Sequence, residues 1–191
     1  MRGRYFSRGS YGFVIYNKNL AQFFNELGFP FGEKSTTVSI PLSILNSNNS
    51  VFYARFLRGL FDTDGHLGFR KCYGKYNEFK TSHHHYPLIN IATVSNELAH
   101  QICTILSKLD INYFLSGYRP KKLSESYRYF ITINGVDRLL KWMKVIGSKN
   151  PVKFSRFQIW RKFGFCPTHT TLKQRKDILS GKLDIYNIMG S

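Results

Sequence analysis

The chain has 191 residues, 28 Lys and Arg against 11 Asp and Glu, a formal net charge of +17, and 42% hydrophobic and 16% aromatic residues. Charge on that scale exceeds what solubility needs and points to a polyanion. The apolar and aromatic content supplies a sizeable core and sets the chain apart from a ribosomal or chromatin-type basic protein, which carries charge blocks and few aromatics.

No stretch approaches the roughly 18 uninterrupted apolar residues of a membrane span, and residues 1–6 lack a signal-peptide apolar region. Cys72, Cys103 and Cys166 are odd in number and have no paired-ligand spacing, which predicts reduced thiols and an intracellular setting, cytoplasm or organelle matrix, with no membrane partner.

In chain order, Tyr11 to Tyr16 predicts a short strand, and Asn17 can cap a helix carrying Leu20, Phe23, Phe24 and Leu27, closed by Gly28. A second helix starts near Ser50, with Phe52, Tyr53, Phe56, Leu57, Leu60 and Phe61 at helical spacing. Gly59 interrupts it, at a cost of about 1 kcal/mol relative to alanine. On the stripe Phe52, Phe56, Gly59, Thr63 the missing side chain lets a second helix cross close by. Asp62 and Asp64 then stand at the carboxyl end, where the helix dipole disfavours negative charge, so a cation is expected there. An EF-hand loop does not fit, because its sixth and twelfth positions counted from Asp62 are Leu67 and Tyr73 instead of Gly and Glu.

Leu67 to Tyr73 and Pro87 to Val94 read as strands around a basic, polar loop, after which Ser95 caps a helix with Leu98, Ile102, Ile105, Leu106 and Leu109. Asn112 to Tyr118 and Tyr127 to Ile133 make a second strand pair across Arg119 to Ser126. Asn134 can cap a helix bearing Leu139, Trp142, Met143 and Ile146, closed by Gly147. Counted back from Gly28 and from Gly147, the apolar positions fall at one, four, five and eight in both copies, and a lysine, Lys34 or Lys153, falls six residues on. That is an internal repeat. Pro151 to Phe165 predicts a helix with Phe154, Phe157, Ile159 and Trp160 against the sheet's other face. A break at Cys166 and Pro167 precedes a short, basic, peripheral helix from Leu172 to Leu179, capped by Thr170 or Thr171.

Leu57 to Gly65 resembles the LAGLIDADG motif at its first leucine, its glycine, the following leucine, both aspartates and the final glycine. The resemblance implies an α+β fold, an αββαββα half-domain whose antiparallel sheet sits in a DNA major groove. It divides the chain into a remnant C-terminal part of a first half (1–49), a complete half-domain (50–165) and a C-terminal tail (166–191). It implies a site-specific double-stranded DNA endonuclease of intron or intein homing, using Mg2+ or Mn2+. The alternatives are an intron RNA maturase of the same fold or a non-catalytic DNA-binding regulator.

By the resemblance Asp64 is the metal ligand, helped by the Thr63 carbonyl. Asn96 orients water, and Lys153 and Lys34 lie near the scissile phosphate. Asp62 is expected to fasten the helix end by backbone hydrogen bonds. A second motif helix, from a homodimer mate or a separate upstream half, is expected along Phe52, Phe56, Gly59 and Thr63. Strand alternation lets one sheet face read bases, with Arg70, Lys75, Lys80, Tyr118, Arg119, Lys121, Lys122, Arg128 and Thr132 on or beside the strands. His83 to His85 lack zinc-site company and are expected as exposed loop or DNA contacts.

Overall fold

The computed structural model describes residues 4–7, 10–13, 16–28, 35–71, 83–121 and 125–188. Two strands open the chain, β1 (Arg4–Ser7) and β2 (Ser10–Phe13), paired antiparallel with Arg4 opposite Phe13. Helix α1 (Lys18–Glu26) follows, its first turn capped by Asn17, whose side chain accepts from the Leu20 N–H at 2.9 Å. The first repeat therefore carries a strand pair and a helix, one strand more than expected from its sequence.

After a short helix α2 (Leu42–Leu45) comes the motif helix α3 (Ser50–Thr63), capped by Asn49. The order then runs β3 (His66–Arg70), β4 (Tyr86–Thr93), α4 (Asn96–Lys108), β5 (Phe114–Tyr118), β6 (Arg128–Asn134) and α5 (Val136–Val145). Helix, two strands, helix, two strands, helix is the expected half-domain, and the fold is α+β. The sheet order is β3-β4-β6-β5, antiparallel throughout. Ser95 caps α4, accepting from the Leu98 N–H at 3.1 Å and donating to the Val38 carbonyl at 2.6 Å.

The strands alternate cleanly. Leu67, Ile89, Ile91, Ile131 and Ile133 point to one face and are buried there with Ile102, Ile105, Leu106, Leu139 and Trp142 of the helices. Burial of branched apolar side chains between sheet and helices is the main stabilising term, roughly 1.5–3 kcal/mol for each large one. Helices α4 and α5 pack on this face, and on the opposite face His66, Arg70, Phe114, Tyr118 and Arg128 stand exposed.

Three expectations need correction. Asn134 is the last residue of β6 and not a cap; Gly135 takes that place with φ +103, and its N–H donates to the Pro87 carbonyl at 3.1 Å. Helix α6 (Pro151–Phe163) packs on the core side and not on the sheet's other face, Trp160 stacking on Phe69, which shares the parity of Leu67; Ile159 and Trp160 are buried and Phe157 half-buried, but Phe154 is 41% exposed. Helix α7 (Leu172–Leu179) is not merely peripheral. Capped by Thr171 in a capping box with Gln174, it packs on α6, buries Ile178 and inserts Arg175, whose guanidinium donates to Ser155 Oγ at 3.0 Å and to the Thr170 carbonyl. Ile185, in the final 3-10 turn (Ile185–Ile188), joins the same core. Cys103 and Cys166 are free and buried, and burial pushes the Cys166 thiol up to about 11.

Candidate active site and nucleic-acid interface

The end of α3 is built by residues that leave one carboxylate exposed and tie the other down. Gly65 permits the chain to double back at once into β3: a Cβ there would lie 2.4 Å from a ring carbon of Phe61 and 2.8 Å from its carbonyl oxygen. Asp62 turns toward the segment after α5. Ser148 Oγ donates to its Oδ1 at 2.5 Å, the Lys149 N–H to its Oδ2 at 2.8 Å, and Asn150 Nδ2 to its carbonyl at 2.8 Å. Asp62 is thus a fastening residue. Asp64 occupies the C-cap and is exposed, touched on its carboxylate by Thr63 Oγ1 at 3.4 Å.

Lys153, in the first turn of α6, reaches back to this point. Its ammonium donates to the Phe61 carbonyl and to the Asp62 carbonyl at 3.0 Å, and lies 5.0 Å from the Phe61 ring centre. A cation on the last carbonyls offsets the dipole that would otherwise oppose the two carboxylates. Burial lowers the Lys153 pKa below the ordinary lysine value, against the pull of Asp62 and Asp64. Lys153, Thr63 and Asp64 are therefore gathered in space at the end of α3, the grouping that the resemblance implies.

Two neighbours were not anticipated. His66, two residues beyond Asp64, is held below the usual histidine pKa by burial and then by the charges of Arg156 and Lys153. Arg156 donates to the Leu67 carbonyl at 3.0 Å, and its Nε is buried without a protein partner among the described residues. His66 was legible: it shares the strand parity of Arg70. Arg156 had no such signal, since one more arginine on a basic helix is unremarkable.

Asn96 is the exposed first residue of α4. Because His66 pairs with Asn90 and β4 ends at Thr93, α4 begins at the same end of the sheet as Asp64. On the stripe Phe52, Phe56, Gly59, Thr63, Phe52 is 49% exposed, Thr63 is exposed and a Cβ at Gly59 would meet nothing within 4 Å, while the half-buried Phe56 leans against the core. Tyr53, Ala54, Leu57 and Phe61 form the buried side of the same helix. Among the described residues, no three His, Cys, Asp or Glu side chains converge as a metal cage. One helix end offers one carboxylate.

The register sorts the strand residues. Arg70, Tyr118, Arg128 and Thr132 all carry the parity of the open face, Arg128 opposite Tyr118 at the Asp64 end and Arg70 opposite Tyr86 at the other. Arg70 lies over the Tyr86 ring at 5.2 Å, and Arg128 pairs with Glu125 at 3.2 Å. Arg119 and Lys121 leave β5 exposed. Lys34, Lys75, Lys80 and Lys122, with Cys72, lie outside the described residues.

The three histidines differ from expectation. All are half-buried: His84 Nδ1 lies 2.9 Å from the Phe69 carbonyl, His83 packs on Phe165 at 4.7 Å, and the His85 carbonyl accepts from Trp160 Nε1 at 2.7 Å. They anchor the start of β4 to α6 and the tail, because Trp160 and Phe165 offer apolar cover that a lone hairpin lacks.

The model of the LAGLIDADG-like domain matches residues 51–147. The chain is also similar to an A-type ATP synthase subunit of Pyrococcus abyssi (strain GE5 / Orsay), 30% identical over 128 residues, which cover 67% of this chain and 11% of that protein. The chain thus spans about a tenth of the curated relative it matches. Among the described residues no helix is long and apolar enough to cross a membrane.

Proposed function

Because the chain belongs to the LAGLIDADG-like family, a group of homing endonucleases and maturases whose members bind DNA and often dimerise, we propose that it is a site-specific double-stranded DNA endonuclease. The observation that carries this reading is the exposed Asp64 carboxylate at the end of α3, next to the Lys153 ammonium and at the rim of a sheet face bearing Arg70 and Arg128. Placing an acid against the helix dipole beside phosphate-binding charge serves chemistry, and it would weaken a pure binder. A match confined to 11% of a component of an ATP synthase supports a mobile module of intron or intein type that resides within other coding sequences.

The donor set suits half of a shared divalent-metal site. Asp64 and the Thr63 carbonyl would hold Mg2+ or Mn2+, which polarises the scissile phosphate and lowers the pKa of water. The protein's own groups then have separate tasks. Lys153 offsets charge building on the phosphate, Asn96 orients water, and Lys34, at the same repeat offset, serves the centre completed by the partner. The second motif helix comes from another copy of this chain, seated on Phe52, Phe56, Gly59 and Thr63.

Asp64→Asn is expected to abolish nicking with Mg2+ or Mn2+ while leaving duplex affinity within about tenfold, since the carboxylate contributes more to chemistry than to binding. Cleavage unchanged in the variant refutes the assignment. Contacts to roughly six to ten phosphates predict a steep fall of log affinity with log salt. Competition between duplex DNA and folded intron RNA at matched salt separates the maturase reading, which wins if the RNA is preferred.

A further inference from the structure

The open face is cationic at its ends and amide-bearing and apolar in the middle. His66, Asn90, Thr132 and Phe114 form one row across β3, β4, β6 and β5. Asn90 sits between the buried Ile89 and Ile91, so the strand is rigidly seated and its outward side chain has a fixed origin. Asn90 Nδ2 donates to Thr132 Oγ1 at 3.0 Å. That bond orients the carboxamide and uses one of its two N–H groups. The second N–H and Oδ1 have no partner among the described residues.

A donor and an acceptor side by side on a planar amide complement the N7 acceptor and N6 donor of adenine in the major groove. Guanine presents two acceptors there, O6 and N7, and would set an oxygen against Oδ1. Leu88 and Phe130, on the same face in adjacent rows, are half-buried and outside the core cluster, and Phe114 is 65% exposed. Apolar groups flanking an amide suit thymine methyls. Arginine, which prefers guanine, is confined to the ends of the face at Arg70 and Arg128.

Building on the DNA-binding reading, we propose that Asn90, held by Thr132, is a specificity-determining residue that reads one adenine in the middle of the half-site. The test is selection of binding sites from a randomised duplex pool by the full chain, by Asn90→Ala, by Asn90→Gln and by Thr132→Val. The wild-type chain is expected to select adenine at one central position by roughly 5- to 150-fold, the span of a good bidentate contact. Asn90→Ala should lose that preference alone, with the flanking positions unchanged. Asn90→Gln should keep part of it, because its amide presents the same pair of groups. Thr132→Val, of similar shape, should weaken it by freeing the amide to rotate. An unchanged selected sequence in Asn90→Ala, or loss of a guanine or cytosine preference in its place, overturns the proposal while leaving DNA binding standing. Absence of duplex binding by the wild-type chain overturns both.

Discussion

The two copies of the strand–helix repeat have the same apolar spacing and opposite burial. In the later copy, Leu139, Trp142 and Ile146 of α5 and its closing turn are at most 2% exposed, packed on a four-stranded sheet beneath the motif helix. In the earlier copy, α1 follows a two-stranded hairpin, and Phe23, Phe24 and Leu27 are 52%, 45% and 42% exposed. Both helices have side-chain or glycine caps and a closing glycine at positive φ, Gly28 or Gly147. Local sequence specifies the helix in each case; burial needs the further strands and the crossing helix that, among the described residues, only the later copy meets. A two-stranded hairpin offers too little apolar surface for independent stability.

The largest test of that contrast is energetic. Trp142→Ala should cost about 3–5 kcal/mol, since it empties a site against Phe61, whose ring meets the indole edge-to-face at 5.2 Å. Against a typical stability of about 5–15 kcal/mol, that is a large share of the total. Phe23→Ala, at the equivalent repeat position, should fall within about 0.5 kcal/mol. Urea unfolding of both variants reads the difference, and equal losses would place α1 in the core.

A second test uses the two lysines. Lys153 touches the end of a motif helix, whereas among the described residues no such helix precedes Lys34. Lys153→Met should slow cleavage on the order of 10²-fold, the usual loss when one preorganised positive group is removed from a reacting centre. Lys34→Met should slow it less than about tenfold if it serves only the centre completed by the partner. Single-turnover cleavage rates of the two variants check this, and equal losses from Lys34→Met and Lys153→Met would make the two repeat copies equivalent.

The sequence disclosed most of the complete half and less of its surroundings. Apolar periodicity found every helix and strand of the half-domain because each buries a regular stripe, and alternation within β6 already implied an open face bearing Arg128 and Thr132. The cap at Asn134 was misread because asparagine suits both a strand end and a cap, and only the Gly135 N–H pairing to Pro87 decides between them. Phe154 is apolar and exposed, so composition alone predicted its burial wrongly. Arg175 escaped notice because an arginine on a basic helix looks solvated, while in space Ser155 and Thr170 satisfy it in the interior. At the site, the helix dipole pointed to a cation near Asp62 and Asp64, and the parts assigned to Asp64 and Lys153 came from the LAGLIDADG resemblance. His66 was open to reading from its strand parity with Arg70, whereas Arg156 required the packing of α6.

Gly59 sharpens the comparison at a third point, because α3 itself is a helix with one buried and one open side. With no atom within 4 Å of its missing Cβ, Gly59→Leu should raise the stability of the isolated chain by roughly 0.5–1 kcal/mol through helix propensity. The same side chain should overpack the contact with a second helix by about 1–3 kcal/mol. Sedimentation with and without DNA is expected to show weaker association together with slower double-strand cleavage. A variant that is destabilised as a monomer would mean that this side of α3 is already covered in the single chain. A monomer that still makes double-strand breaks would remove the need for a second helix.

A fourth test compares the two closing glycines under one substitution. Gly147 has φ +73 and its N–H donates to the Trp142 carbonyl at 2.9 Å; Gly28 has φ +95. An added Cβ would meet Met143 O at 3.5 Å in one case and Pro41 at 3.5 Å in the other, both ordinary contacts, so the cost is conformational in each. Holding alanine in a left-handed conformation costs about 1–2 kcal/mol. At Gly147 that cost should appear in full in the urea midpoint, because α5 can leave the left-handed turn only by pulling Ile146 and Trp142 out of the core. At Gly28 the end of α1 can fray without exposing buried surface, so the midpoint should stay fixed while amide exchange in α1 accelerates several-fold. Equal midpoint shifts would show that the earlier copy unfolds with the core as one cooperative unit, and the distinction between a buried and an open repeat would fail.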